Sequence, residues 1–137
     1  MTTTETSKDK TLTFALMDPP FENARTTAAF RLMDAALRQG FAIKVFCYEG
    51  AVGHAFAKQT AHPNAVHGRD VVQEDHPLPR EWVAALMKLG PVTWINCGMC
   101  VDERGLGEAI PGVVRGSPAD LWKNANLSIN TLVIPTR

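Results

Sequence analysis

The sequence lacks the features that would direct its interpretation toward several common classes of protein. Its 14 Lys and Arg residues balance its 14 Asp and Glu residues, so no net charge attracts nucleic acid or an anionic membrane surface. No apolar run approaches the roughly 20 residues that a membrane-spanning helix needs. Neither Gly-x-Gly-x-x-Gly nor Gly-x₄-Gly-Lys-Ser/Thr occurs, so the chain has no recognisable phosphate-binding loop. The sequence therefore predicts no cofactor, no nucleic-acid partner and no membrane partner.

Cysteine is scarce, and the count of three is odd. An odd number argues against the disulfide framework of a secreted protein and favours reduced thiols. The polar first ten residues contain no apolar stretch of the kind that a signal peptide requires. We therefore expect a cytoplasmic protein. A length of 137 residues with 45% hydrophobic content suits one globular domain over residues 11–137, after a disordered tail over 1–10.

Short β-rich runs alternate with helical patterns along the chain. This alternation is typical of an α/β protein with a mostly parallel five-stranded sheet. A polar stretch over 59–79 predicts a long loop. The predicted strands cover 11–17, 41–48, 92–96, 112–115 and 128–134, and the predicted helices cover about 24–39, 52–58, 80–89 and 117–124.

Two thiols, Cys97 and Cys100, form a Cys-x-x-Cys pair where the third predicted strand ends. Reactive groups of open α/β sheets gather at the carboxyl ends of strands, so both thiols are expected at one crevice. The free amides of a following helix would lower the pKa of a thiol there, and Gly98 allows the tight turn. Cys47, inside an apolar run, is predicted to be a core residue.

Charged residues follow the thiols closely. Arg104 lies four residues after Cys100, so on a helix it reaches back over the same face and is suited to bind a thiolate or an anionic sulfur substrate. Asp102 and Glu103 are predicted to lie in the first turn of the helix and to stabilise its dipole. The candidate site thus has Cys97 and Cys100 as catalytic residues. Its candidate substrate-binding residues are Asn96, Gly98 and Arg104.

The stretch 97–105, CGMCVDERG, resembles the cysteine segment of the DsrE/DsrF-like family of sulfur-relay proteins. YchN-type members carry Cys-x-x-Cys followed by Asp and Arg-Gly at the same spacing. TusD-type members keep a cysteine at the position of Cys97 but not at that of Cys100. The order of strands and helices along most of the chain also matches the family.

This resemblance implies a three-layer α/β/α sandwich and a sulfurtransferase-like persulfide carrier. Sulfane sulfur would be held on Cys97, with Cys100 assisting or resolving the persulfide. Donor and acceptor proteins, rhodanese-like or TusA-like, would be its partners. The family also implies a homotrimer or homohexamer.

Other functions compete with this interpretation. A regulatory or scaffold subunit of a relay complex would need no chemistry, and a thiol-disulfide redox protein would use the same two cysteines. A thioredoxin-like protein is disfavoured, because there the pair follows an early strand and begins a long helix, whereas Gly105 and Gly107 interrupt the helix here. The histidines, at positions 54, 62, 67 and 76, do not form a convincing zinc motif, and no metal site is predicted.

Overall fold

A computed structural model of the chain describes residues 7–21, 24–61, 63 and 65–136. These residues form five strands and five α-helices, with 3-10 helices at Lys8–Lys10 and Glu49–Ala55. The strands are β1 (Thr11–Leu16), β2 (Ala42–Cys47), β3 (Val92–Cys97), β4 (Val114–Gly116) and β5 (Asn130–Ile134). The helices are α1 (Ala24–Arg38), α2 (Val71–Glu74), α3 (Pro79–Leu89), α4 (Gly98–Glu103) and α5 (Pro118–Asn126).

The strands form one sheet in the order β4-β3-β2-β1-β5, and every neighbouring pair is parallel. The connections from β1 to β2 and from β2 to β3 both move toward the same edge of the sheet. Because such connections are right-handed, α1 and α3 lie on the same face, where they contact each other. The return from β4 to β5 places α5 on the opposite face. The predicted α/β fold with a five-stranded parallel sheet is therefore confirmed.

Several predicted boundaries differ from the structure. The helix expected over 52–58 is instead the 3-10 helix Glu49–Ala55, which begins directly after β2. The expected loop over 59–79 contains the short helix α2, in which Asp70 accepts a hydrogen bond from the Gln73 N–H. In the predicted tail, Lys8–Lys10 forms a single 3-10 turn, while residues 1–6 lie outside the described part.

The core lies between the central strands and the helices on both faces. Strands β1 and β2 are buried on both sides, as expected for parallel strands covered by helices. Trp94 of β3 is fully buried and its ring lies 6.1 Å from that of Phe30 in α1. Cys47 is also fully buried, which confirms its predicted place in the core. None of the helices in the described part of the chain is both long and apolar enough to span a membrane.

Candidate functional site

The two thiols lie at the carboxyl edge of the sheet, where β3 passes directly into α4. Cys97 is the last residue of β3, and α4 begins at Gly98 without an intervening loop. Cys100 lies in the first turn of α4. Both cysteines are free, and each residue is only 3% exposed. The predicted position at a strand end is thus confirmed, and a reagent can reach either sulfur only through local movement.

Cys100 is held by the segment that follows the neighbouring strand β2. The backbone N–H of Glu49 donates a hydrogen bond to Cys100 Sγ over 3.2 Å, and Glu49 has a left-handed backbone with φ of +54°. Burial, with a smaller contribution from the Cys97 thiol, raises the pKa of Cys100 to about 11, although the hydrogen bond from the Glu49 N–H opposes the rise. Cys100 is therefore a neutral thiol near pH 7 and a poor nucleophile.

Arg104 reaches back from the end of α4, as its spacing predicts. Its Nη1 donates to the Cys100 carbonyl oxygen over 3.2 Å, and its Nη2 donates to Glu49 Oε2 over 2.7 Å. The guanidinium thus joins the end of β2 to α4. In this structure its charge is directed at a carboxylate, while its role toward a sulfur substrate stays a prediction.

The acidic residues after Cys100 occupy a different place from the one predicted. Because α4 starts at Gly98, Asp102 and Glu103 lie in its last turn, so the prediction that they stabilise the N-terminal end of the helix dipole is wrong. A carboxylate at a helix C-terminus is electrostatically unfavourable. For Asp102 this is offset by Arg115, which donates to both carboxylate oxygens over 2.9 and 2.6 Å.

Arg115 is a site residue that the sequence analysis missed. It lies in β4, whose register places it beside Asn96 of β3, and its guanidinium lies against Gly98. A Cβ on Gly98 would overlap Arg115 Nε, so glycine leaves room for this approach. The hydrogen bonds to Asp102 raise the pKa of Arg115, and the charge on a Cys97 thiolate adds a smaller contribution in the same direction. A cation therefore lies beside the residue bonded to Cys97.

Asn96 lines a cavity of about 390 Å³ between the end of α4 and β4. Its Nδ2 donates weakly to the Val52 carbonyl oxygen over 3.4 Å, and its Oδ1 is buried with no hydrogen-bond partner among the described groups. Arg115 lines the same cavity. The cavity lining thus contains a cation and the carboxylate residue Glu108 next to the thiol segment, and neither thiol lines it.

The histidines do not converge on the thiols. His54 is buried, and its Nε2 lies 2.8 Å from the Asp18 carbonyl oxygen. Burial lowers the pKa of His54 to about 4, so the ring is neutral at pH 7 and donates this hydrogen bond. His76 pairs with Glu74 over 2.9 Å, and His62 lies outside the described residues. Within the described ranges, no group of three or more His, Cys, Asp or Glu side chains could hold a metal ion.

Comparisons with known proteins agree with this fold. The model of the DsrE/DsrF-like family matches residues 10–127. The crystal structure of the ychN protein from E. coli superposes with a TM-score of 0.73 at 18% sequence identity. The superposition covers 91% of this chain and 99% of that chain, and at this identity it shows a shared fold. No protein with a curated description matches the chain.

Proposed function

Because this chain belongs to the DsrE/DsrF-like family, whose members work in sulfur relay with partner proteins, we propose that it carries sulfane sulfur as a persulfide on Cys97. The observation that carries this proposal is that Cys97 ends β3 and directly precedes α4, with a second thiol in the first turn of that helix. The pairing of a strand-end thiol with the family's fold supports a carrier more than a general binding domain.

Loading and unloading are two thiol exchange steps. In loading, the Cys97 thiolate attacks the outer sulfur of a donor persulfide, a new S–S bond forms, and the donor thiolate leaves with the electron pair. In unloading, an acceptor thiolate attacks the outer sulfur on Cys97, and the Cys97 thiolate leaves. Neither step needs an external oxidant or a metal. The donor and acceptor in this proposal are rhodanese-like or TusA-like proteins.

The raised pKa of Cys100 supports a carrier over a thiol-disulfide redox protein. A Cys100 thiolate that attacked the inner sulfur of the Cys97 persulfide would form the Cys97–Cys100 disulfide and release HS⁻. With a pKa of about 11, Cys100 seldom carries the charge that this attack needs near neutral pH. A persulfide on Cys97 would thus persist long enough to meet an acceptor. Three free thiols also suit a reducing compartment, and we place the relay in the cytoplasm.

A second candidate is a regulatory or scaffold subunit that binds relay proteins without carrying sulfur. The observation in its favour is the burial of both cysteines, because a buried thiol does not meet a donor protein without movement of α4 or its surroundings. The two candidates differ in one measurable property, which is the gain of a sulfur atom.

Intact mass measurement after incubation with a sulfane-sulfur donor tests the proposal. We expect the wild-type protein to gain one sulfur atom, reversibly by reductant, and Cys97→Ser to gain none while keeping its far-UV circular dichroism. Cys47→Ala is the control, because it removes a fully buried core cysteine that ends β2 beside Asn96 and lies outside the Cys-x-x-Cys pair, and it should load like the wild type. Equal loading of Cys97→Ser and wild type would contradict the assignment, and no loading of the wild type by any donor would favour the scaffold.

A further inference from the structure

Arg115 and Asp102 form an ion pair between β4 and the last turn of α4, 13 residues apart in sequence. Both side chains are largely exposed, with 61% and 62% of their surfaces accessible. An exposed pair of this kind contributes little to stability, typically below about 1 kcal/mol. Its position beside the thiol segment therefore suggests a role other than holding the fold.

The guanidinium of Arg115 lies against Gly98, in the space that a Cβ at this position would fill. Gly98 is bonded to Cys97, and the absence of a side chain on Gly98 lets Arg115 Nε lie against its backbone. The bidentate bond to Asp102 uses both terminal nitrogens of the guanidinium. An anion that arrives at Cys97 thus meets a cation whose best donors are occupied by a carboxylate.

We propose that Arg115 is the residue that recognises anionic sulfur donors at Cys97, and that Asp102 competes with those donors for its guanidinium. This inference rests on the proposed persulfide function and adds the substrate class, which is a small sulfur compound with a negative charge next to its sulfane sulfur. Arg104 is less suited to this role, because its guanidinium joins Glu49 to the Cys100 carbonyl oxygen.

Thiosulfate is the simplest probe with this chemistry. The Cys97 thiolate attacks its outer sulfur, the Cys97–sulfur bond forms as the sulfur–sulfur bond of thiosulfate breaks, and sulfite leaves with the electron pair. Negative charge is present before and after the step. A guanidinium near the reacting sulfur therefore attracts the donor and stabilises the leaving anion.

The two residues of the pair make opposite predictions, which separates competition from simple structural support. Arg115→Gln removes the cation and should lower the reactivity of Cys97 with anions. Asp102→Asn releases the cation from its carboxylate and should raise that reactivity. If the pair only held α4 against β4, loss of either partner would change reactivity in the same direction.

Alkylation of Cys97 provides a measurement that does not depend on sulfur transfer. Iodoacetate is an anion and iodoacetamide is a neutral molecule of similar size, so the ratio of their rate constants reports the local charge. Peptide mass mapping assigns each product to Cys97, Cys100 or Cys47. We expect Arg115→Gln to lower the iodoacetate-to-iodoacetamide ratio about threefold, which corresponds to one unit charge acting at short range through water. Asp102→Asn should raise the ratio, and Arg115→Lys should stay close to wild type.

Arg38 and Asp34 provide matched controls. They form an exposed Arg–Asp pair with a 3.0 Å contact in the last turns of α1. Helix α1 starts at the carboxyl edge of the sheet and runs back, so this pair lies at the opposite edge from Cys97. Arg38→Gln and Asp34→Asn change the same net charge and should leave the ratio unchanged.

The outcomes distinguish this inference from the proposed function. The inference is supported if the iodoacetate-to-iodoacetamide ratio falls in Arg115→Gln, rises in Asp102→Asn and does not change in the controls. Thiosulfate loading, measured by intact mass, should likewise fall in the first variant and rise in the second. Shifts in the same direction, no shift, or a Cys97 that reacts with neither reagent in the folded protein would overturn it. If the two variants show opposite shifts but the wild-type protein gains sulfur from no donor, the anion site is supported and the persulfide function is refuted.

Discussion

Glu49 donates its backbone N–H to Cys100 Sγ across 51 residues of sequence, over a distance of 3.2 Å. The bond joins the end of β2 to the first turn of α4. The Glu49 side chain also accepts a hydrogen bond from Arg104. One residue in a left-handed backbone conformation thus fixes two parts of the thiol segment. Changes at Glu49 or its partners are thus expected to alter the chemistry of Cys100 before they alter the fold.

Removal of Cys100 should lengthen the lifetime of a persulfide on Cys97. We expect Cys100→Ser to load normally and to lose sulfur more slowly, because no second thiol can form the disulfide. In the wild type, the Cys100 thiolate fraction rises about tenfold per pH unit below its pKa of about 11, so decay should accelerate from pH 7 to pH 9. The variant should lack this acceleration in an intact-mass time course. If Cys100→Ser cannot be loaded at all, Cys100 rather than Cys97 receives the sulfur.

Arg104→Ala should weaken loading by anionic donors more than loading by neutral ones. A charge-assisted hydrogen bond to an anion contributes about 1.5–3 kcal/mol, but Glu49 already occupies part of this guanidinium. We therefore expect a loss smaller than tenfold, measured as the ratio of initial loading rates with thiosulfate and with a dialkyl trisulfide. An equal loss with both donors would mean that Arg104 acts through its bond to the Cys100 carbonyl oxygen.

His54 should make the folded state sensitive to acid. Burial depresses its pKa from 6.5 to about 4, so the unfolded chain binds a proton between these values and the folded protein does not. Stability contributed by the neutral ring is complete above pH 6.5 and is lost as the pH falls toward 4, by roughly 3 kcal/mol in total.

The variant His54→Gln tests this acid sensitivity, because glutamine keeps an N–H donor for the Asp18 carbonyl oxygen but does not titrate. Urea unfolding at pH 7 and pH 4.5 should show a smaller loss of unfolding free energy for this variant than for the wild type. Equal losses in the two proteins would show that His54 is not the group responsible.

The protein should assemble into a homotrimer or homohexamer. Trp122 on α5 has 74% of its surface exposed, and large aromatic side chains are typical centres of interfaces. We expect Trp122→Glu to shift the mass, measured by light scattering after size exclusion, toward the 15.0 kDa of one chain. The neighbouring variant Lys123→Gln, which changes the net charge by the same one unit, controls for the charge change. A wild-type monomer at micromolar concentration would contradict the assembly.

The sequence was sufficient to predict the elements that place Cys97, because each leaves a local signal. The β-rich run before Cys97 and the Ser117-Pro118 start of α5 depend on neighbouring residues, and both occur in the structure. The position of Asp102 was predicted wrongly, since no local signal shows that α4 begins directly after Cys97.

Contacts between separate strands account for the part of the site that the sequence did not predict. Arg115 approaches Gly98 because β4 pairs with β3, and Glu49 approaches Cys100 because β2 pairs with β3. One signal was available for Arg115: it ends a predicted strand, and parallel strands end at a common edge. No local pattern indicates the bond between Glu49 and Cys100, which requires the sheet order.

Strand β1 lies between β2 and β5, and Leu12 pairs with Asn130 at the far end of the sequence. A ribosome would release β1, β2 and β3 in the order in which they pair, so these strands, the last of which ends on Cys97, can associate early. The second edge of β1 stays open until β5 has been synthesised. During that interval an unpaired, apolar strand edge is exposed to other nascent chains. The same topology that lets β1, β2 and β3 pair first therefore makes the growing chain a substrate for chaperones until β5 is in place.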